Sequence, residues 1–312
     1  MYKIRIIIPY FGRLPELFKF WYQSALDNPN VDFLFFSDWH IEQSENIKVV
    51  SMGFDEFRKI IQNHYDFSIN LPSPYKLCDF KGAYGDIFNE YLKDYDFWGF
   101  GDIDMVYGQI RDFITDEVLD KYDVISGWGH LTLYRNNEYC NTFYKTKKEG
   151  FLYYKDVFQQ AKNIFFDEYL HKGLSDLWME LHPDKIWNSF LFDDISIPSI
   201  NFNFVSVFHP EYSENLIFEY VNKNLYRIYT KGNEIIQEPT LYAHFQKRSF
   251  LRVKTENTNN FLIIPNKIIS VKEITLSRLK RWGRKRELQR YFFIKKNGWG
   301  KKLKSLFSKL RQ

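Results

Sequence analysis

Asp94-Tyr95-Asp96-Phe97-Trp98-Gly99-Phe100-Gly101-Asp102-Ile103-Asp104-Met105-Val106-Tyr107-Gly108 is the stretch on which the fold turns. An apolar, aromatic run ends abruptly in two carboxylates at i and i+2, with glycines close on both sides. In a strand, residues i and i+2 face the same way, so an extended Asp102-x-Asp104 can aim both acids at one point. The run leaves its strand at Gly101, so the aim depends on the turn. A cation bridging the two acids to a diphosphate would use the spacing. Solvated acids at a strand-to-loop junction would leave the same pattern, and only structural context separates the two.

Upstream, Ile4 to Ile8 reads as a buried strand stopped by Pro9, followed by a Tyr10-Phe11-Gly12-Arg13 loop. Leu14 to Leu26 has Leu17, Phe18, Trp21 and Ala25 at helical spacing. Val31 to Phe36 is a second strand ending in Ser37-Asp38, Ile47 to Ser51 a third, and Asp55 to Asn63 a helix. Strands alternating with helices over short links predict an α/β sheet with parallel strands. Ligands of such sheets bind beyond the carboxyl ends of the strands, which puts Pro9, Tyr10 and Asp38 on one rim with Asp102 and Asp104.

After Pro72-Ser73-Pro74, residues Tyr75 to Asp86 lead into a helix expected to reach about Leu92. Lys76, Asp79 and Lys81 sit together there, either as a surface ion pair or as groups that meet a phosphate or sugar. Downstream, Thr115-Asp116-Glu117 caps a helix, and Asp123 to Ser126 is a strand ending in Gly127-Trp128-Gly129-His130. Glycines on both sides of Trp128 allow close approach to a ligand while the ring offers a stacking face; a packed hairpin Trp reads the same way. Residues 137–192 read as largely helical and aromatic, with Phe166-Asp167-Glu168 within them. Residues 195–245 read as short strands and turns ending at His244, which by spacing alone is structural or a ligand.

The chain has 312 residues and a net charge of +4. Residues 272–312 hold fifteen Lys/Arg against two Glu, while the first 271 hold 28 Lys/Arg against 37 Asp/Glu. An acidic body with a basic tail predicts an anionic partner. In the tail, Trp299, Leu303, Leu306, Phe307 and Leu310 share one helical face with lysines on the other, as expected of a helix lying in an anionic membrane interface. The hydrophobic stripe is richer than phosphate contact requires, so no nucleic acid is expected. The N-terminus lacks a signal-like apolar run, no segment nears the ~20 apolar residues of a membrane span, and Cys78 and Cys140 fit no disulfide framework. Together these predict a cytoplasmic protein, peripheral on the inner face of the membrane.

At Gly101-Asp102-Ile103-Asp104 the chain resembles the nucleotide-sugar glycosyltransferases of GT-A fold, in which an Asp-x-Asp holds Mn²⁺ or Mg²⁺ against the donor diphosphate. Ile8-Pro9-Tyr10-Phe11-Gly12, Tyr75 to Lys81, Gly129 to Asn136, and His244-Phe245-Gln246-Lys247 resemble a branch associated with bacterial capsule and surface-polysaccharide clusters. The resemblance implies a GT-A-like, Rossmann-like mixed sheet flanked by helices over residues 1–250, a connection at 251–271, and the tail at 272–312. It implies a metal site at Asp102, Asp104 and His244, and base and ribose contacts near Pro9, Tyr10 and Asp38. It also implies donor sugar and phosphate contacts at Lys76, Asp79 and Lys81. The donor would be a nucleoside-diphosphate sugar such as a UDP-sugar, and the acceptor a glycan or lipid-linked sugar. The chain lacks the Glu-Asp-Asp base motif of inverting members, leaving Asp167 and Glu168 as candidate bases. Two alternatives stand beside this. One is a nucleotidyltransferase acting on sugar phosphates, whose glycine-rich loop Pro9 to Arg13 does not match; the other is a non-catalytic binding protein with a nucleic-acid-docking tail.

Overall fold

The computed structural model describes residues 1–125, 128–169, 171–197, 203–246, 252–265 and 267–284. The chain forms two compact units. One holds residues 1–14, 25–103 and 110–190; the other holds 15–24, 104–109 and 191–312. The chain passes from the first to the second between Ile103 and Asp104.

The strands, in chain order, begin with β1 (Ile4–Tyr10), β2 (Asp32–Ser37), β3 (Ile47–Ser51) and β4 (Phe97–Gly101). Next come β5 (Met105–Tyr107), β6 (Val124–Ile125), β7 (Leu131–Arg135), β8 (Ile186–Trp187) and β9 (Asp193–Asp194). The rest are β10 (Ile217–Val221), β11 (Asn224–Lys231), β12 (Glu234–Pro239), β13 (Tyr242–His244), β14 (Arg252–Val253), β15 (Phe261–Ile264) and β16 (Lys267–Ser270).

The first unit is a mixed sheet in the order β3-β2-β1-β4-β7-β6-β8. β1 to β4 run parallel, and β7 turns antiparallel against β4. Their sequences, such as Ile4-Arg5-Ile6-Ile7-Ile8 and Phe33-Leu34-Phe35-Phe36, are apolar on both faces, as a sheet covered by helices on both sides requires. β1 continues through Pro9 to Tyr10, where the sequence predicted a stop. The ladder to β4 ends at Ile7, so a residue with no N–H is tolerated just beyond it. The first helix starts at Phe18 and not Leu14, because Pro15 disfavours helical backbone before it.

The segment expected as a helix to Leu92 is a 3₁₀ helix over Pro74–Ala83, one α-helical turn over Tyr84–Ile87 and a second 3₁₀ turn. Among the described residues of 137–192 the helices are short, the longest being Leu174–Leu181. The core here is aromatic, with Phe143 stacked on Trp178, Trp178 tilted against Tyr134 and Tyr134 stacked on Trp98, so ring packing sets the path more than helix propensity does.

The second unit holds a six-stranded sheet, β12-β11-β10-β15-β16-β14, and a three-stranded one, β5-β13-β9. Residues 252–270, expected as a connection, supply three strands of the larger sheet. The helix Leu276–Arg284 packs on the larger sheet. Leu279 is fully buried with Ile217, Ile228, Leu262 and Ile264, and Trp282 packs against the same cluster, so this part of the basic tail spends its apolar side on the sheet. The amphipathic pattern from Trp299 to Leu310 lies outside the described residues. Among the described residues no helix is long and apolar enough to cross a membrane.

Candidate functional site

In the first unit the parallel register sets the rim. Tyr10 pairs with Ser37, so Tyr10 and the exposed Asp38 leave neighbouring strands at the same level, and Gly101 ends β4 on that side. The Tyr10 hydroxyl donates to the carbonyl of Arg13 at 2.8 Å.

Asp102 follows directly, its backbone N–H bonded to the carbonyl of His130 at 3.0 Å. Its carboxylate accepts from Lys81 Nζ at 2.9 Å, and the same ammonium donates to the Gly129 carbonyl at 2.5 Å. Asp167 Oδ2 stands 3.5 Å from Lys81 Nζ. Burial works against the Lys81 charge, but Asp102 and Asp167 outweigh it and hold its pKa above the ordinary lysine value. Burial pushes the Asp167 carboxyl up to about 8, with Lys81 opposing and Glu168 and Asp102 adding to the rise. Asp167 and Glu168 lie in a turn and split as adjacent residues should: Asp167 is 2 % exposed, and Glu168 points outward.

Lys76 and Asp79 leave the donor-binding set. In a 3₁₀ helix side chains at i and i+3 eclipse, and here both face inward at 0 % exposure with 2.7 Å between Nζ and Oδ2. Lys76 also donates to the carbonyls of Val157 and Lys162, and Asp79 accepts the backbone N–H groups of Ile164 and Phe166 at 2.9 Å each. The pair brackets Phe165, whose φ of 60° is costly for a bulky residue. Its role is to hold the turn that presents Asp167 to Lys81.

The second unit builds a cluster on its small sheet. β13 runs between β5 and β9, with His244 opposite Met105 on one side and Asp194 on the other. Phe245 N–H bonds the carbonyl of Asp104 at 2.8 Å, extending the β5 edge to that residue. His244 Nε2 then lies 3.2 Å from Asp104 Oδ1, while its Nδ1 is 2.8 Å from Asp194 Oδ1. Gln246 Nε2 donates to both oxygens of Asp194 at 3.0 Å, fixing the carboxylate that fixes the ring. Burial alone would lower the His244 pKa, but the two acids overcome it and raise it well above the ordinary histidine value.

Asp194 and Gln246 had no assigned role in the sequence. Asp194 does carry a signal, since Phe192-Asp193-Asp194 is a second apolar run ending in acids. Successive strand residues face opposite ways, and Asp193 turns to Thr240 and Arg227 while Asp194 turns to His244.

The donor set suits a hard divalent cation. Two ligands bound cis at 2.0–2.1 Å on an octahedral ion stand ~3 Å apart, which is the Asp104–His244 separation. An imidazole whose other nitrogen is bonded to a carboxylate is the usual orientation of a ligating histidine.

The chain belongs to a family of unknown function (DUF6625), whose model matches residues 6–272. The match takes in both clusters and ends where the basic tail begins. Among curated proteins, none matches the chain.

Proposed function

We propose that the protein is a metal-dependent glycosyltransferase of GT-A-like fold. It moves a sugar from a nucleoside-diphosphate donor, such as a UDP-sugar, to a glycan or lipid-linked acceptor in bacterial surface-polysaccharide synthesis. The observation that carries the reading is the Asp104–His244–Asp194 array, a carboxylate and an imidazole at cis-ligand separation with the imidazole held from behind. Asp102 supplies the second acid of the pair, and the chain alone keeps its Cα within about 7 Å of that of Asp104.

Asp104, His244 and Asp102 would hold Mn²⁺ or Mg²⁺, which would supply Lewis-acid stabilisation of negative charge on a leaving diphosphate. The residues do the rest. Lys81 brings an ammonium to Asp102, where it can meet phosphate oxygens. Tyr10 and Asp38 serve the nucleoside at the strand ends. Glu168, the more exposed of the two adjacent acids, suits the role of base for the acceptor hydroxyl, whereas Asp167 is tied to Lys81. A nucleotidyltransferase remains the weaker reading, because the loop after β1 has the single glycine Gly12.

The test is release and transfer of labelled sugar from a panel of nucleotide sugars with and without Mn²⁺. Asp104→Asn and His244→Ala should each lower metal-stimulated turnover by about 100-fold or more. Asp194→Asn, acting only through the ring, should weaken Mn²⁺ binding by roughly 10–100-fold. Undiminished turnover in excess EDTA, or in the Asp104 variant, would sink the proposal.

A further inference from the structure

Beside the Lys81 cluster, and within the same unit, stands an aromatic wall that no step above uses. Trp128 lies 4.6 Å centroid to centroid from Tyr169 and 5.5 Å from Phe190, both tilted. Its indole N–H donates to Asn188 Oδ1 at 2.7 Å, which fixes the plane of the ring. Phe190 is 39 % exposed, and Trp128 and Tyr169 are half-buried. The Tyr169 hydroxyl is buried with no hydrogen-bond partner among the described residues.

The wall is bonded into the candidate site. Gly129, next to Trp128, gives its carbonyl to Lys81, and His130 gives its own to the N–H of Asp102. Gly129 has φ +45°, and a Cβ there would come within 2.8 Å of Glu168 Cγ, so the outward-pointing carboxylate of Glu168 lies directly over the glycine. Aromatic faces, a carboxylate and an amide thus meet at one edge of the Asp102 cluster.

We infer that Trp128, Tyr169 and Phe190 form the binding platform for the acceptor saccharide, with a sugar ring packed by its apolar C–H face on the aromatic wall. Such a face is apolar in the middle and ringed by hydroxyls. It therefore matches rings that carry hydrogen-bonding groups at their margin. Charge separates this ligand from a nucleotide, the other flat partner that stacks on aromatics. The acid beside the wall is Glu168, which attracts hydroxyls and repels phosphate. The same placement brings an acceptor hydroxyl to Glu168. The role of acceptor rests on the glycosyltransferase reading; the affinity for sugar does not.

The experiment is saturation-transfer NMR on the full chain, without donor or metal, using lactose, chitobiose and maltose as probes and UMP as a comparison. At least one disaccharide should receive saturation on the C–H groups of one ring face. Trp128→Ala and Phe190→Ala should lower that signal at least fivefold, and Trp128→Phe should restore most of it, which separates loss of the ring from loss of the fold. The inference is overturned if no disaccharide takes up saturation, if the signal survives Trp128→Ala, or if UMP is the ligand whose signal that variant removes. Wall-dependent sugar binding without metal-stimulated transfer would sink the transferase reading and leave the wall. Metal-stimulated transfer without wall-dependent binding would sink the wall alone.

Discussion

Asp167 holds a proton that an exposed aspartate would release. Its carboxyl sits at about 8 in the folded protein, chiefly through burial, against an unfolded value near 3.9. Between these values the folded state binds the proton and the unfolded state does not, so stability falls as pH rises from about 4 to about 8 and levels off above. Asparagine is neutral at every pH and removes this dependence. Asp167→Asn should therefore gain thermal stability over wild type at pH 9 relative to pH 5, read as the difference in Tm at the two pH values. An equal difference at both would place the proton elsewhere. Asp167 was visible in the sequence as half of an acidic pair. Which of the pair turned inward was not, because that depends on a turn fixed by Asp79, eighty-eight residues upstream of Asp167.

At the scale of elements, the 3₁₀ helix Pro74–Ala83 shows how one geometry changes the meaning of a motif. Lys76 and Asp79 at i, i+3 on an α-helix would be a surface pair worth a few tenths of a kcal/mol. On this helix they are enclosed, and removing one partner leaves a buried charge. Lys76→Met should cost about 3–5 kcal/mol in denaturant unfolding, while Lys81→Met, at the partly open cluster, should cost much less. Comparable costs for the two would argue against the internal role. The strands before position 101 were legible because β1, β2 and β4 are nearly continuous apolar runs and β3 is a short β-branched one. The short helices of 137–192 were less so, since aromatic residues there answer to ring packing.

At the scale of the molecule, the basic charge of residues 272–312 falls partly on the helix Leu276–Arg284 and partly beyond it. The helix Leu276–Arg284 buries Leu279 in the second unit, so its removal exposes the sheet beneath. A chain ending at residue 284 should keep its unfolding temperature within about 2 °C while losing most of its binding to vesicles of anionic lipid, since each basic residue near such a surface contributes about 1 kcal/mol. Equal vesicle binding with and without 285–312 would remove the membrane role of the tail.

The sequence by itself determined the local features: an α/β chain, strands that end in acids, the Asp102-Ile103-Asp104 pair, and a basic C-terminal segment. These follow from side-chain periodicity and turn chemistry, which act over a few residues. Only the tertiary structure decided that Lys76 and Asp79 are internal, that Lys81 belongs to Asp102, and that Asp194 and Gln246 stand behind His244. Asp194 and His244 are fifty residues apart. They meet because β9 and β13 pair in one register, and a one-residue slip would turn the carboxylate to the opposite face. Of the opening carboxylate pair, Asp102 bonds a lysine and Asp104 faces a histidine.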